Sequence, residues 1–175
     1  MPFDIPNSWL WVKLPQIGKS ELGKTLNGEK DIGKIVPYLC SVNVYWNGIS
    51  LQTVKHTAFN ENDLKKYNLL KNDLLICEGG ESGRCFVWDI EQEMYYQNAL
   101  HRVRFYDKIN PHFFKYVIES YHLTGLLEKY CSGVTIKHLV KSSLNSIYLP
   151  LPPIKEQNKI VKKIHTLFKL LKDED

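Results

Sequence analysis

Leu149-Pro150-Leu151-Pro152-Pro153-Ile154-Lys155-Glu156-Gln157-Asn158-Lys159-Ile160-Val161-Lys162-Lys163-Ile164, continuing His165-Thr166-Leu167-Phe168-Lys169-Leu170-Leu171-Lys172, is the stretch from which the organisation of this chain is read. A stiff proline segment leads into an amphipathic helix. Pro152 and Pro153 fit just before or at a first helical turn, where a missing N–H removes no bond. Glu156 falls in that turn, on the favourable side of the helix dipole. Ile154, Ile160, Val161, Ile164, Leu167, Phe168 and Leu171 recur at spacings that form one apolar stripe, with Lys155, Lys159, Lys162, Lys163 and Lys169 mostly off it. The nineteen residues Ile154 to Lys172 span about 28 Å. Periodicity leaves two readings open: a helix docked on its own domain, or one that leaves it to pack on a partner helix.

Upstream, helical spacing gives way to alternation. Trp9, Trp11 and the following Val12-Lys13-Leu14 predict an early strand. Residues 15–34 are rich in Gly, Lys, Ser, Thr and Asn and read as a long polar loop, a length often tied to function. Strands are predicted at Ile35–Val44 and Ile49–Val54 around an Asn47-Gly48 turn, then at Leu74–Cys77, Cys85–Ile90 and Gln97–Tyr106. Asn60-Glu61-Asn62-Asp63 offers caps for a short Leu64–Tyr67 helix. Asn110-Pro111 opens a helix in which Phe113, Phe114, Val117, Ile118 and Tyr121 share a face, with Gly125 ending or interrupting it. Thr135 is placed to cap a short helix through Leu139, and Ser146–Leu149 is a last short strand. The expected class is α+β: a mainly β domain with a few helices over residues 1–151, then a protruding helix over residues 152–175.

A hydrophobic fraction of 43% supplies a packed core, which argues against disorder. The net charge of +4 permits an anionic partner without demanding one. Cys40, Cys77, Cys85 and Cys131 lack the close pairing of a zinc knuckle, so they read as reduced core thiols and no metal site is expected. Pro2, Asp4 and Pro6 break up the apolar start, so no signal peptide is expected. No apolar run approaches the ~18–20 residues of a membrane span, and a cytoplasmic location follows as an expectation.

Four motifs bear on function. Glu78-Gly79-Gly80-Glu81-Ser82-Gly83-Arg84 is a Gly-rich turn that could bring N–H groups and a guanidinium to a phosphate, or be a tight turn with a surface arginine. It lacks the Gly-Lys-Ser/Thr ending of a nucleotide P-loop. In Gln97-Asn98-Ala99-Leu100-His101-Arg102-Val103-Arg104, strand alternation points Arg102 and Arg104 the same way, toward phosphates or guanine edges if not simply toward solvent. Gln97 and Asn98 carry amides that suit adenine. Lys19, Lys24, Thr25, Asn27 and Lys30 make the 18–34 loop basic enough to grip a nucleic-acid backbone. Thr135 and Lys137 could meet one phosphate at a helix start, or serve ordinary capping. No H-E-x-x-H, nucleophile elbow or metal cluster is present, so no catalytic residue is expected. Asn110-Pro111-His112-Phe113 departs at its third residue from the signature of amino-methylating DNA methyltransferases, and no glycine-rich methyl-donor site precedes it.

Four stretches together resemble the target-recognition domain of the specificity subunit of type I restriction–modification systems. They are Ile5 to Leu14; Asp73-Leu74-Leu75-Ile76 followed by Gly80, Gly83 and Arg84; Gln97 to Val103; and Leu139 to Ile164 with its Leu-Pro-Leu-Pro-Pro, Glu156-Gln157 and Ile160-Val161. The resemblance implies a subunit without catalysis of its own. It reads double-stranded DNA and holds modification subunits that methylate adenine with S-adenosylmethionine, while restriction subunits cleave DNA using ATP. S-adenosylmethionine, ATP and Mg are therefore expected on partner subunits. A full subunit has two recognition domains, each followed by a long helix, and the antiparallel helices set the spacing of a bipartite target. This chain has one of each, so a homodimer or a second recognition domain is expected, with the apolar stripe as the dimerisation surface. Base-reading residues do not transfer by motif. The candidate DNA contacts rest on residue chemistry: Lys19, Lys24, Arg84, Gln97, Asn98, His101, Arg102, Arg104, Thr135 and Lys137. The competing expectation is a helical interaction module that binds no DNA.

Overall fold

Leu74-Leu75-Ile76-Cys77 is an uninterrupted apolar run, and a strand with that pattern must bury both faces. In a computed structural model, which describes residues 2–135 and 137–172, it does so at the centre of the molecule. Leu74 and Ile76 join Val103, Phe114, Val117 and Ile118 in one core, while Leu75 and Cys77 join Leu39, Trp88, Tyr96 and Leu100 in a second. Burial pushes the Cys77 thiol up to about 11, so it is protonated and inert.

The elements follow in order as β1 (Leu10–Lys13), α1 (Leu14–Ile17), β2 (Gly18–Leu22), β3 (Lys34–Leu39), β4 (Val44–Tyr45), β5 (Gly48–Ile49), β6 (Lys55–Phe59) and α2 (Glu61–Lys66). The chain continues with β7 (Leu74–Cys77), β8 (Cys85–Val87), β9 (Tyr95–Tyr96), β10 (Leu100–Phe105), α3 (Pro111–Leu123), α4 (Lys141–Ser146), β11 (Tyr148–Leu151) and α5 (Ile154–Lys172). The architecture is α+β. The central sheet runs β2-β10-β7-β8, all antiparallel, with α3 packed on its first face. A second sheet, β6-β3-β9, carries a small cluster of Val36, Tyr38, Phe59 and Tyr95. β1 pairs with β11 from Leu10↔Leu151 to Lys13↔Tyr148, which ties the start of the chain to the strand that feeds α5.

Four expectations are corrected. The strand expected over Ile49–Val54 stops at Ile49, and the longer strand follows at Lys55–Phe59. Residues 15–34 are not one loop, because Leu14–Ile17 is helical and Gly18–Leu22 is an edge strand of the central sheet. The strand expected over Gln97–Tyr106 starts at Leu100, and Asn98-Ala99 is a turn before it. The helix expected from Thr135 to Leu139 is absent among the described residues; Ser132 and His138 pair across a loop instead, and the helix falls at Lys141–Ser146. Ile136, inside that expected helix, lies outside the described residues.

α5 resolves the two readings of its stripe by length. Gln157 is buried in its first turn. Its Oε1 accepts from the Asn110 N–H at 2.9 Å and its Nε2 donates to the Pro152 carbonyl at 2.8 Å. Val161 enters the main core, and Ile154, Ile160 and Ile164 are half-buried. Beyond them Leu167, Phe168, Leu170 and Leu171 are exposed. The proximal half is docked on its own domain; the distal half presents the stripe to solvent.

Candidate nucleic-acid interface

Alternation along β10 sends Leu100, Arg102 and Arg104 to one face and His101 and Val103 to the other. Leu100 belongs to the second core. Past it the apolar cover ends, and Arg102 and Arg104 line an open cleft of about 750 Å³. The sheet register places Glu21 opposite Arg102 and Lys19 opposite Arg104, so β2 contributes to the same face. Lys65 and Lys66 come from the last turn of α2, and Phe105, Tyr106 and Asp107 complete the lining. Five cationic side chains therefore face two carboxylates in one concave surface. Such an excess attracts a polyanion.

The five cations are of two kinds. Arg104 is engaged from both ends: Nε donates to Asp73 Oδ1 at 2.8 Å and Nη2 to Asp73 Oδ2 at 2.7 Å. Asp73 is only 1% exposed, and its Oδ2 also accepts from the Leu70 N–H at 2.8 Å. This hydrogen bonding holds the Arg104 guanidinium above even its usual high range. Arg102 is 6% exposed and has no carboxylate within ion-pair distance among the described residues. Its Nη1 donates to the Lys66 and Asn68 carbonyls at 3.1 and 2.8 Å, and its guanidinium lies over the Tyr96 ring at 5.5 Å. Lys19, Lys65 and Lys66, by contrast, are exposed. Lys66 shares Glu21, at 3.6 Å, with Lys141. Lys19 and Lys65 form no ion pair among the described residues.

The remaining sequence candidates lie elsewhere. Lys24 is corrected: its ammonium sits between Asp63 at 2.8 Å and Asp31 at 3.0 Å, and the residue is 7% exposed. Burial opposes its charge, but hydrogen bonds to the two carboxylates outweigh that and raise its pKa. His101 is also corrected. It is 0% exposed in the core, with Nε2 against the Leu139 carbonyl at 2.7 Å. Gln97 and Asn98 are half-buried turn residues; Gln97 Oε1 accepts from the Ala99 N–H, and Asn98 Nδ2 reaches Thr25 Oγ1.

Thr135 and Lys137 line a separate hollow that shares no lining residue with the basic cleft, and Arg84 lies beside it through Glu81. Arg84 pairs with Glu81 at 3.2 Å and donates to the Ser41 carbonyl. Lys137 pairs with Glu128 at 2.5 Å, and Thr135 is exposed. In the Gly-rich turn the Glu78, Gly83 and Arg84 N–H groups already donate to the Ala99, Cys77 and Glu81 carbonyls. Gly83 is required for packing, since its φ is +88° and a Cβ there would meet Leu127 at 2.1 Å. The sequence reading missed Lys65 and Lys66. Their signal was a lysine pair closing a short capped helix, read only as helix content.

The family described as "Type I restriction modification DNA specificity domain" matches residues 6–174. The type I restriction enzyme EcoBI specificity subunit of Escherichia coli is 39% identical over 61 residues, 35% of this chain and 12% of that protein. A solved chain described under complex assembly and conformational transition of the type I R-M system superposes with a TM-score of 0.75 at 19% identity, over 98% of this chain and 41% of that one. The HsdS subunit of Thermoanaerobacter tengcongensis gives 0.70 at 18% identity, over 98% and 40%. The type I S subunit of M. genitalium gives 0.61 at 18%, over 98% and 42%. These likenesses are of fold, and the chain spans well under half the length of each relative.

Proposed function

Because this chain belongs to the Type I restriction modification DNA specificity domain family, we propose that it binds double-stranded DNA sequence-specifically and reads one half of a bipartite target. The observation that carries this reading is the cleft beside β10, where Lys19, Lys65 and Lys66 stand exposed over a floor of two arginines. Exposed lysines neutralise phosphates without reading sequence, so in this reading the cleft seats and orients the duplex while neighbouring groups discriminate bases. The chain supplies no catalytic residue. Modification and restriction subunits dock on it in the cytoplasm and bring S-adenosylmethionine, ATP and Mg. In this reading residues 1–151 are the recognition domain and residues 152–175 the segment that carries the spacer helix α5.

The exposed Leu167, Phe168 and Leu171 support a second element of the reading: distal α5 packs on another such helix, from a second copy or a second recognition domain. The same exposure is what favours the alternative of an interaction module without DNA contact. Fluorescence anisotropy with labelled random-sequence duplex separates the two. DNA binding predicts a Kd that weakens steeply with salt, and enrichment of one gapped motif from a random library. Absence of binding at low salt would leave only the interaction module. Light scattering of wild type against Leu167→Ser, Phe168→Ser and Leu171→Ser together tests the helix, with the variant expected to be the smaller species.

A further inference from the structure

Arg102 and Arg104 have the residue types of phosphate contacts, yet Arg102 Nη1 and Arg104 Nε and Nη2 donate to groups of the protein itself. Arg102 Nη1 bridges the carbonyls of Lys66 and Asn68, and Arg104 Nη2 reaches the same Asn68 carbonyl at 3.4 Å. Arg104 also grips Asp73, whose carboxylate holds the Leu70 N–H. Two side chains of one strand thus fasten the whole connection from the end of α2 to the start of β7. That connection begins where Lys65 and Lys66 project into the cleft.

We infer that Arg102 and Arg104 are positioning residues, which fix the C-terminal turn of α2 to β10 so that Lys65 and Lys66 face the same phosphate path as Lys19. The inference rests on the DNA-binding reading and names the internal device that shapes its surface. The physical reason is entropic. Two long lysines at the end of a six-residue helix gain little from a phosphate unless their backbone is already held. The α2 turn ends in carbonyls without helical partners, and the Arg102 guanidinium donates to one of them, Lys66, and to Asn68 just beyond the helix. A lysine at position 102 keeps the charge and can still donate to a carbonyl, but it lacks the guanidinium's full reach; a glutamine is shorter still and loses the charge.

The test is a double-mutant cycle on duplex affinity, read as Kd and as its salt slope, with melting temperature measured alongside. Lys65→Ala with Lys66→Ala should weaken binding about tenfold and lower the salt slope by about two. Arg102→Ala should weaken binding by a similar factor and add little when combined with the lysine changes, because it acts through them. Arg102→Lys, which keeps the charge and most of the reach, should lose less affinity than Arg102→Ala, and its loss too should add little to that of the lysine changes. Full additivity would make Arg102 a direct contact and overturn the inference. A lower melting temperature with unchanged affinity would make it a merely structural brace and also overturn it. Wild type that binds no duplex removes the DNA reading and this inference with it, an outcome distinct from binding with additive losses. Should Arg102→Ala fail to fold, Arg104→Lys enters the same cycle. It keeps the charge while breaking the two-pronged grip on Asp73, and the same non-additivity with Lys65 and Lys66 is expected.

Discussion

Two polar clusters on this molecule contain the residues that a phosphate-binding surface needs, and they differ in what surrounds the cations. Beside β10, Lys19 and Lys65 have no ion pair among the described residues, and Glu21 is divided between Lys66 and Lys141. Around the Gly-rich turn both basic side chains are met by an acid. Arg84 meets Glu81 and Lys137 meets Glu128, while the rings of His122 and His138 lie 3.4 and 3.0 Å from Glu81 and Glu78. Glu81 also accepts from Trp46 Nε1 at 2.6 Å. The first cluster has charge to offer a ligand. The second uses its charge to fasten the β4–β5 hairpin, the turn and the end of α3 to one another. Residue type is shared; the counter-ions decide.

The largest expected contrast is in stability. Asp73→Ala leaves the Arg104 guanidinium without its carboxylate and the Leu70 N–H without its acceptor. A loss of about 3 kcal/mol in unfolding free energy is expected, from a partner that is nearly fully buried. Glu128→Ala opens an exposed pair and should leave the urea midpoint unchanged. Equal losses in the two variants would erase the distinction between an internal clamp and a surface pair.

Affinity gives the next contrast. Replacing Lys19, Lys65 and Lys66 together by Ala should weaken duplex binding about a hundredfold at moderate salt and lower the salt slope by about three. Replacing Arg84 and Lys137 by Ala should change it by less than about threefold, because neither cation is free. A larger loss from the second pair would move the DNA surface to the other side of the central sheet. Lys24→Ala sharpens the same comparison with a cation that lies outside the cleft. It should lower the urea midpoint, through Asp31 and Asp63, while leaving the salt slope untouched.

How far the sequence could see follows from the same contrast. The Leu74–Cys77 run, the Pro111 helix and the α5 stripe were legible because burial on two faces or one imposes a period on neighbouring residues. Gly18-Lys19-Ser20-Glu21-Leu22 has the composition of a loop because it is an edge strand, paired on one side and polar over the cleft. Lys55–Phe59 was missed for a related reason, since Lys55 and His56 are exposed and only Ala58 and Phe59 are buried. The common face of Arg102 and Arg104 was foreseen correctly, but alternation says nothing about what the face meets. Asp73 lies thirty-one residues from Arg104, and Asp63 thirty-nine from Lys24. No local pattern announces such pairings, so the cleft lysines could not be told from the engaged ones. The α5 stripe reads as continuous, yet only its first half enters the core, at Val161; beyond it Phe168 keeps an edge against Tyr116 of α3 while Leu167, Leu170 and Leu171 are exposed.

The smallest expected effect tests the side of β10 that faces away from the cleft. His101 donates from Nε2 to the Leu139 carbonyl, which leaves Nδ1 unprotonated, buried and without a partner. Burial lowers its pKa from the ordinary 6.5; the Leu139 bond and Glu78 act against that, and Lys141 with it. Protonation would place a charge and an unsatisfied donor in the core. The unfolded chain accepts that proton near pH 6.5, whereas the folded chain resists it to lower pH. Stability is therefore fully present above that pH and declines as pH falls from there toward the depressed folded value. His112, whose pKa is also lowered by burial and by His165, contributes to the same slope. The share of His101 is isolated by His101→Gln, which can still donate to Leu139 but cannot titrate. Urea unfolding at pH 7.5 and 5.5 should show a smaller loss for the variant than for the wild type. An identical loss would mean that the orphaned ring nitrogen finds a proton partner within the core, and that the two faces of β10 are less different than their burial implies.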